Sequence, residues 1–399
     1  MRIDHRSGAL LALCIVVSSC SWFRHKDESA KPAELKSIKQ EVHLVRVWKR
    51  GVGDEARDRD SKLVPVLAGG RVFAASADGT IMALQPESGK VIWKKRVEDY
   101  YPKVERAVAF AAKSDAITGG VGAGKDIIVV GTFAGDIVAI NQSDGSLAWR
   151  SRTTSEVLAP PQVQGDLAVA QSIDGKVEGY NALDGTRLWV YTTTIPSLTL
   201  RGTSTPIMGN TFVVAGFSNG RVAVIDSQRG LARVDQRIAI AQGKSDLDRL
   251  VDIDGRMVID NGALFAVSYQ GNVAAIDLEQ GRILWSKPAS SVAGLAAGFN
   301  NIYMASFDGK LSALSERSGQ VMWETDALKN RELTTPATIS SYVVVGDFEG
   351  YIHAIAQSDG RFVGRTRVEH GPLTSPIVVD GARLYVQTRD GRLFAYELR

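Results

Sequence analysis

The stretch SFDGKLSALSERSGQVMW, residues 306–323, carries a glycine at 309, a second at 319 and a tryptophan at 323. Four other stretches keep its frame: SADGTIMALQPESGKVIW (76–93), TFAGDIVAINQSDGSLAW (132–149), SIDGKVEGYNALDGTRLW (172–189) and SYQGNVAAIDLEQGRILW (268–285). Two more copies keep both glycines, Gly220 with Gly230 and Gly350 with Gly360, but have Val234 and Gly364 where tryptophan would stand. An eighth, TRDGRLFAYELR, contains Gly391 and ends at Arg399. The eight first glycines are spaced by 56, 40, 45, 51, 38, 41 and 41 residues. Periods of about 40 to 50 residues suit a four-stranded propeller blade.

The local chemistry of each copy agrees. An apolar, β-rich run such as TFVVAGF (211–217) or SYVVVGD (341–347) precedes the first glycine. An alternating run such as KLSALS (310–315) or YIHAIA (351–356) follows it, with the period of a half-buried strand. The glycines supply the positive φ that tight hairpins require. A further strand carries the tryptophan, and Thr205-Pro206, Thr335-Pro336 and Ser375-Pro376 open the next blade. No long amphipathic helical pattern interrupts the series. The eighth copy has SPIVVDG, RLYVQTRDG and RLFAYEL but no tryptophan strand, whereas HLVRVWK (43–49) is a tryptophan strand without a blade. Pairing the two closes a ring and removes two exposed edges. The expectation is an all-β, eight-bladed β-propeller of four-stranded antiparallel blades over residues 42–399, closed by its N-terminal strand.

The first residues read differently. Arg2 and Arg6 precede the apolar run GALLALCIVV, which is too short to span a bilayer that takes about 20 residues. This is the pattern of a secretory signal, assigned to residues 1–19. It ends in VSSC, which resembles the bacterial lipobox, so Cys20 is the expected lipidation site. The only other cysteine, Cys14, lies inside the signal, so no disulfide competes for Cys20. Residues 20–41 are polar, lack hydrophobic periodicity and read as a flexible tether. Ser21, rather than Asp, beside the cysteine favours delivery to the outer membrane by the lipoprotein sorting rule. A net charge of +3 with Lys and Arg spread along the chain argues against nucleic acid as a partner.

Catalytic signals are weak. GGVGAGKD (119–126) fits the G-x-x-x-x-G-K frame, but Asp126 stands where Ser or Thr should ligate Mg²⁺, and a strand follows where a helix should. It reads instead as a flexible loop. The Asp-Gly pairs at Asp78, Asp174, Asp308 and Asp390 lack calcium-loop spacing, and His25, His43, His353 and His370 show no metal spacing. No cofactor, metal or catalytic residue is assigned.

The Gly–Gly–Trp repeat resembles the tryptophan-docking motif of the quinoprotein alcohol dehydrogenases, which makes a pyrroloquinoline-quinone-dependent periplasmic dehydrogenase the alternative. That family's adjacent-cysteine disulfide is missing here, and the chain has little room for cofactor-covering loops. The lipobox, tether and eight blades together resemble the BamB family of lipoproteins in the outer-membrane β-barrel assembly machinery. IPSLTLRGTSTP (195–206) is similar to that family's S-L-[ST]-L-R-G segment, and DLDRLVDIDG (246–255) to its D-R-L-x-D-[VI]-D segment. The match departs at Gly255-Arg256-Met257, where relatives often continue with Thr-Pro. The resemblance implies a non-catalytic scaffold on the periplasmic side of the outer membrane, held there by the lipid. It implies docking on the POTRA domains of BamA, and through BamA on the rest of the Bam complex, with strand edges offered to unfolded outer-membrane proteins. It nominates Leu198, Leu200 and Arg201 on one loop and Asp252 and Asp254 on the other. The residues alone leave two readings open. Exposed leucines flanking an arginine have hot-spot composition, and the same leucines can equally pack inside a blade while Asp252 and Asp254 pair with Arg201 or Arg249.

Overall fold

A computed structural model describes residues 31–54, 63–103, 105, 116–369 and 371–399. Cys20, the signal segment, His25 and His370 lie outside them. Among the described residues, thirty-two strands form eight antiparallel four-stranded sheets, one per repeat. Blades are numbered here from the one containing Gly79. The first strands of neighbouring blades lie side by side, as Gln162–Gln164 does against Ile117–Gly124. The tryptophan strands form the outer edges. Blade 8 is built in the order Leu44–Gly51, Arg392–Leu398, Arg383–Gln387, Val378–Asp380, so the N-terminal strand closes the ring as expected.

The structure gives the repeat a second meaning. Each tryptophan ring lies on the second glycine of the following blade: Trp93 on Gly145, Trp149 on Gly185, Trp189 on Gly230, Trp285 on Gly319 and Trp323 on Gly360. A Cβ at any of these glycines would sit under 3.0 Å from the ring. Each indole N–H also donates to a carbonyl of that next blade, Trp93 to Gln142 at 2.9 Å and Trp323 to Gln357 at 2.9 Å. The motif is therefore a seam between blades, and its glycines serve the hairpin and the neighbour together. Blade 8 has no second-glycine turn, because its outer strand comes from the other end of the chain. Blade 7 accordingly needs no tryptophan. At Gly364 the space is taken by Val42, whose Cγ2 would lie 2.8 Å from an added Cβ.

Three readings of the sequence need correction. The alternating runs are not half-buried: Leu311, Ser312, Ala313 and Leu314 are all buried, because each blade is covered on both faces by its neighbours. GGVGAGKD is not a loop but most of the strand Ile117–Gly124, turned at Lys125 and Asp126, which have φ of 43° and 61°. Its glycines allow close approach to blade 3: a Cβ on Gly122 would fall 1.6 Å from the Pro161 carbonyl oxygen. The tether's second half is not free chain, since residues 32–41 lie along blade 7.

Because strands within a blade alternate in direction, the connections between blades and the turns after each second strand leave on one face. That loop face carries both nominated segments.

Candidate docking surface

Residues 193–206 join the outer strand of blade 3, Arg187–Thr192, to the first strand of blade 4, Ile207–Met208. Residues 238–257 join Ala232–Arg237 of blade 4 to Val258–Asp260 of blade 5. The second connection has two parts. Residues 240–249 are almost wholly exposed, closed by reciprocal bonds from the Ser245 amide to Asp248 Oδ2 at 3.1 Å and from the Asp248 amide to Ser245 Oγ at 3.2 Å. Leu250, Val251, Asp252 and Ile253 are then buried as a wedge between blades. Ile253 covers Gly216, where a Cβ would lie 2.5 Å from its Cγ2. Backbone bonds hold the wedge on both sides, from the Ile253 amide to the Phe217 carbonyl at 3.3 Å and from the Tyr269 amide to the Asp252 carbonyl at 2.8 Å.

The wedge positions the first loop. Asp252 is 1% exposed, and its Oδ1 accepts the Leu200 amide at 3.0 Å. Its Oδ2 has no hydrogen-bond partner. Asp254 is half-buried beneath Gly202, where a Cβ would lie 2.5 Å from the carboxyl carbon. Arg201 keeps an exposed guanidinium edge and donates to Glu156 Oε1 at 2.6 Å, the Glu156 side chain being 7% exposed. Leu198 is 42% exposed and Leu200 is half-buried. The five nominated residues therefore come together but divide by role. Leu198, Leu200, Arg201 and Asp254 reach the surface, whereas Asp252 cannot touch a partner and instead fixes the backbone that presents them. Sequence reasoning missed Glu156, which lies in the preceding inter-blade connection and tethers Arg201. It also missed Ile240 and Leu247, 63% and 65% exposed on the same face. Leu247 could have been found, since an apolar residue inside the otherwise polar KSDLDR is out of place on a solvated loop.

Burial pushes the Asp252 carboxyl up to about 6, against the partial offset of the Leu200 N–H. A carboxyl raised in the folded state favours the neutral form. Its contribution to stability is full below about pH 4 and is lost as pH rises through 6. Asp252→Asn keeps an acceptor for the Leu200 amide without a charge. In urea unfolding it should match wild type near pH 4 and exceed it at pH 7, by up to about 3 kcal/mol. Parallel pH profiles for the two proteins would refute the buried, charge-disfavouring environment.

The model for "Outer membrane protein assembly factor BamB" matches residues 103–325 and 307–399. One for the β-propeller domain of glucose, ethanol and alcohol dehydrogenases matches residues 23–150. The chain is 43% identical over 398 residues to the outer membrane protein assembly factor BamB of Pseudomonas aeruginosa, covering 100% of both. The crystal structure of BamB from Moraxella catarrhalis aligns with a TM-score of 0.78 at 28% identity, over 89% of this chain and 100% of that one. A europium-containing methanol dehydrogenase aligns with a TM-score of 0.69 at 12% identity, over 91% and 95%, a likeness of fold alone. With identity running the full length and the loop signatures in place, the chain belongs to the BamB family of outer membrane protein assembly factors.

Proposed function

We propose that this protein is a non-catalytic scaffold of the outer-membrane β-barrel assembly machinery. Cys20 carries the lipid that holds it to the periplasmic leaflet of the outer membrane. The loop face of the propeller docks on the POTRA domains of BamA, linking it to the rest of the Bam complex and assisting the folding and insertion of barrel proteins. The observation that carries the reading is the paired connection at blades 3 to 5. There a buried wedge uses a desolvated carboxyl to hold a short loop whose exposed side chains include a leucine and an arginine. An apolar anchor beside a cation, both on a rigid backbone, suits recognition of a folded protein surface better than turnover of a small substrate.

The test is capture of the purified POTRA domains by the immobilised full chain. Saturable capture at micromolar concentration or tighter is expected, and no capture above a control propeller would overturn the docking partner. The family relation to dehydrogenase propellers is checked with pyrroloquinoline quinone and Ca²⁺. Saturable binding with alcohol-dependent dye reduction would replace the scaffold reading with an enzyme.

A further inference from the structure

Residues 32–42 form no strand of their own and lie along the outer edge of blade 7, with Ala33, Leu35, Ile38 and Val42 less exposed than the intervening lysines and glutamates. The Ala33 amide donates to the Lys329 carbonyl at 2.9 Å, in the connection between blades 6 and 7. Leu35 packs on the core between those blades. At the other end the Glu41 and Val42 amides both donate to the Val363 carbonyl, at 2.7 and 3.1 Å, and Arg361 pairs with Glu41 at 2.6 Å.

Between these ends two arginines grip the strap's own backbone. Arg331 Nη1 donates to the Ala33 carbonyl at 3.0 Å, and Arg365 Nη1 to the Lys36 carbonyl at 2.8 Å. Both are held from behind by one buried pair. Arg331 Nε donates to Asp347 Oδ2 at 2.7 Å, and His353 Nε2 meets the same oxygen at 2.9 Å. Arg365 Nε donates to His353 Nδ1 at 3.1 Å, which leaves the His353 hydrogen on Nε2 and the ring neutral. Asp347 and His353 are fully buried, and Arg331 is 3% exposed. Asp347 Oδ1 takes the Glu349 and Tyr351 amides at 3.0 and 2.9 Å, so the whole relay is satisfied. The Arg331 guanidinium is buried and that of Arg365 half-buried, and each aims an N–H at a main-chain carbonyl, so desolvating them is costly unless the strap is in place.

The strap runs from the loop face at Ala33 to the opposite face at Val42, and the closing strand Leu44–Gly51 then returns. We infer that blade 7 is a clamp for the strap, and that the clamp makes the N-terminal leader leave the propeller on the loop face. The loop face, with Leu198 and Arg201, is thereby turned toward whatever surface holds the N-terminus. This orientation rests on the lipid-anchor reading, whereas the clamp itself does not. Without it, residues 32–41 would be free chain and would let the ring present either face.

Two measurements on the full chain test this separately. Hydrogen exchange should show the Ala33, Glu41 and Val42 amides at least about a hundredfold slower than in free peptide. Arg331→Lys with Arg365→Lys should remove that protection at Ala33. Leu35→Asp with Ile38→Asp, which leaves the relay intact, should do the same if the arginine variant fails to fold. Ala33 and Glu41 amides exchanging at free-peptide rates in wild type would overturn the clamp. The second measurement places the lipidated chain on vesicles of phosphatidylethanolamine and phosphatidylglycerol containing a headgroup acceptor dye. Energy transfer from a donor at Ser218, on the loop face, should exceed that from one at Asp359, on the other face, and the difference should vanish in the strap variant. Equal transfer from both sites in wild type would overturn the orientation. Failure of the processed chain to bind vesicles at all would instead overturn the lipid anchor and leave the exchange result standing.

Discussion

Deleting residues 43–50 is expected to lower the melting temperature by at least about 10 °C, or to abolish the cooperative transition altogether. The deletion removes the outer strand of blade 8, which pairs with Arg392–Leu398 from Leu44 opposite Leu398 to Gly51 opposite Arg392. It also removes a seam. Trp48 is 8% exposed, lies on Gly89 of blade 1 and donates to the Pro86 carbonyl at 2.8 Å, while Arg50 donates to the Gly89 carbonyl at 2.9 Å. Truncating one buried tryptophan costs about 3–5 kcal/mol, and the deletion adds a lost strand ladder and two bared edges to that. A thermal melt followed by circular dichroism reads the effect. Trp48→Ala should fall as far as Trp323→Ala, since both make the same seam. A truncated protein that melts with the full chain would show that the ring does not depend on its closing strand.

Much of this was legible because a propeller writes its period into the chain. Ten residues between glycines and four more to a tryptophan located the blades, and the stray Trp48 against the incomplete copy at Gly391 located the closure. What stayed hidden depends on contacts between blades. Nothing local marks Gly145 as the seat of Trp93, although the two meet in every equivalent pair. The missing tryptophan of blade 7 is the counterpart of the missing turn in blade 8, which the linear order of the repeats does not reveal. The phosphate-loop frame of GGVGAGKD fails and leaves only a glycine-rich run; glycine's cost in a strand is overridden where the Pro161 backbone needs the room. Residues 32–41, inside the stretch 20–41 that reads as a tether, are polar and lack hydrophobic periodicity. Their ordering comes from arginines some 300 positions away. The residues that the resemblance nominates do come together in the fold, but burial separates Asp252 from the others, and burial is a property of the fold around it.

That separation decides how the docking surface is tested. Leu198→Asp should weaken capture of the BamA POTRA domains by at least about thirtyfold, the effect of losing an anchor worth 2 kcal/mol or more. Its side chain is 42% exposed, so the change leaves no cavity, and the melting temperature should stay with wild type. Replacing Arg201 alone is a poorer probe, because Glu156 would be left buried beside a missing cation. Arg201→Gln with Glu156→Gln removes both charges and isolates the arginine's contribution at the surface. Asp252→Ala touches no partner and deprives the Leu200 amide of its acceptor. It should weaken capture less than Leu198→Asp while loosening residues 198–202 in hydrogen exchange, and Asp252→Asn should restore both. The ordering of these variants carries the inference. A direct contact is lost most at Leu198 and rescued at Asp252 by the amide, whereas a surface elsewhere on the ring would leave capture by Leu198→Asp unchanged.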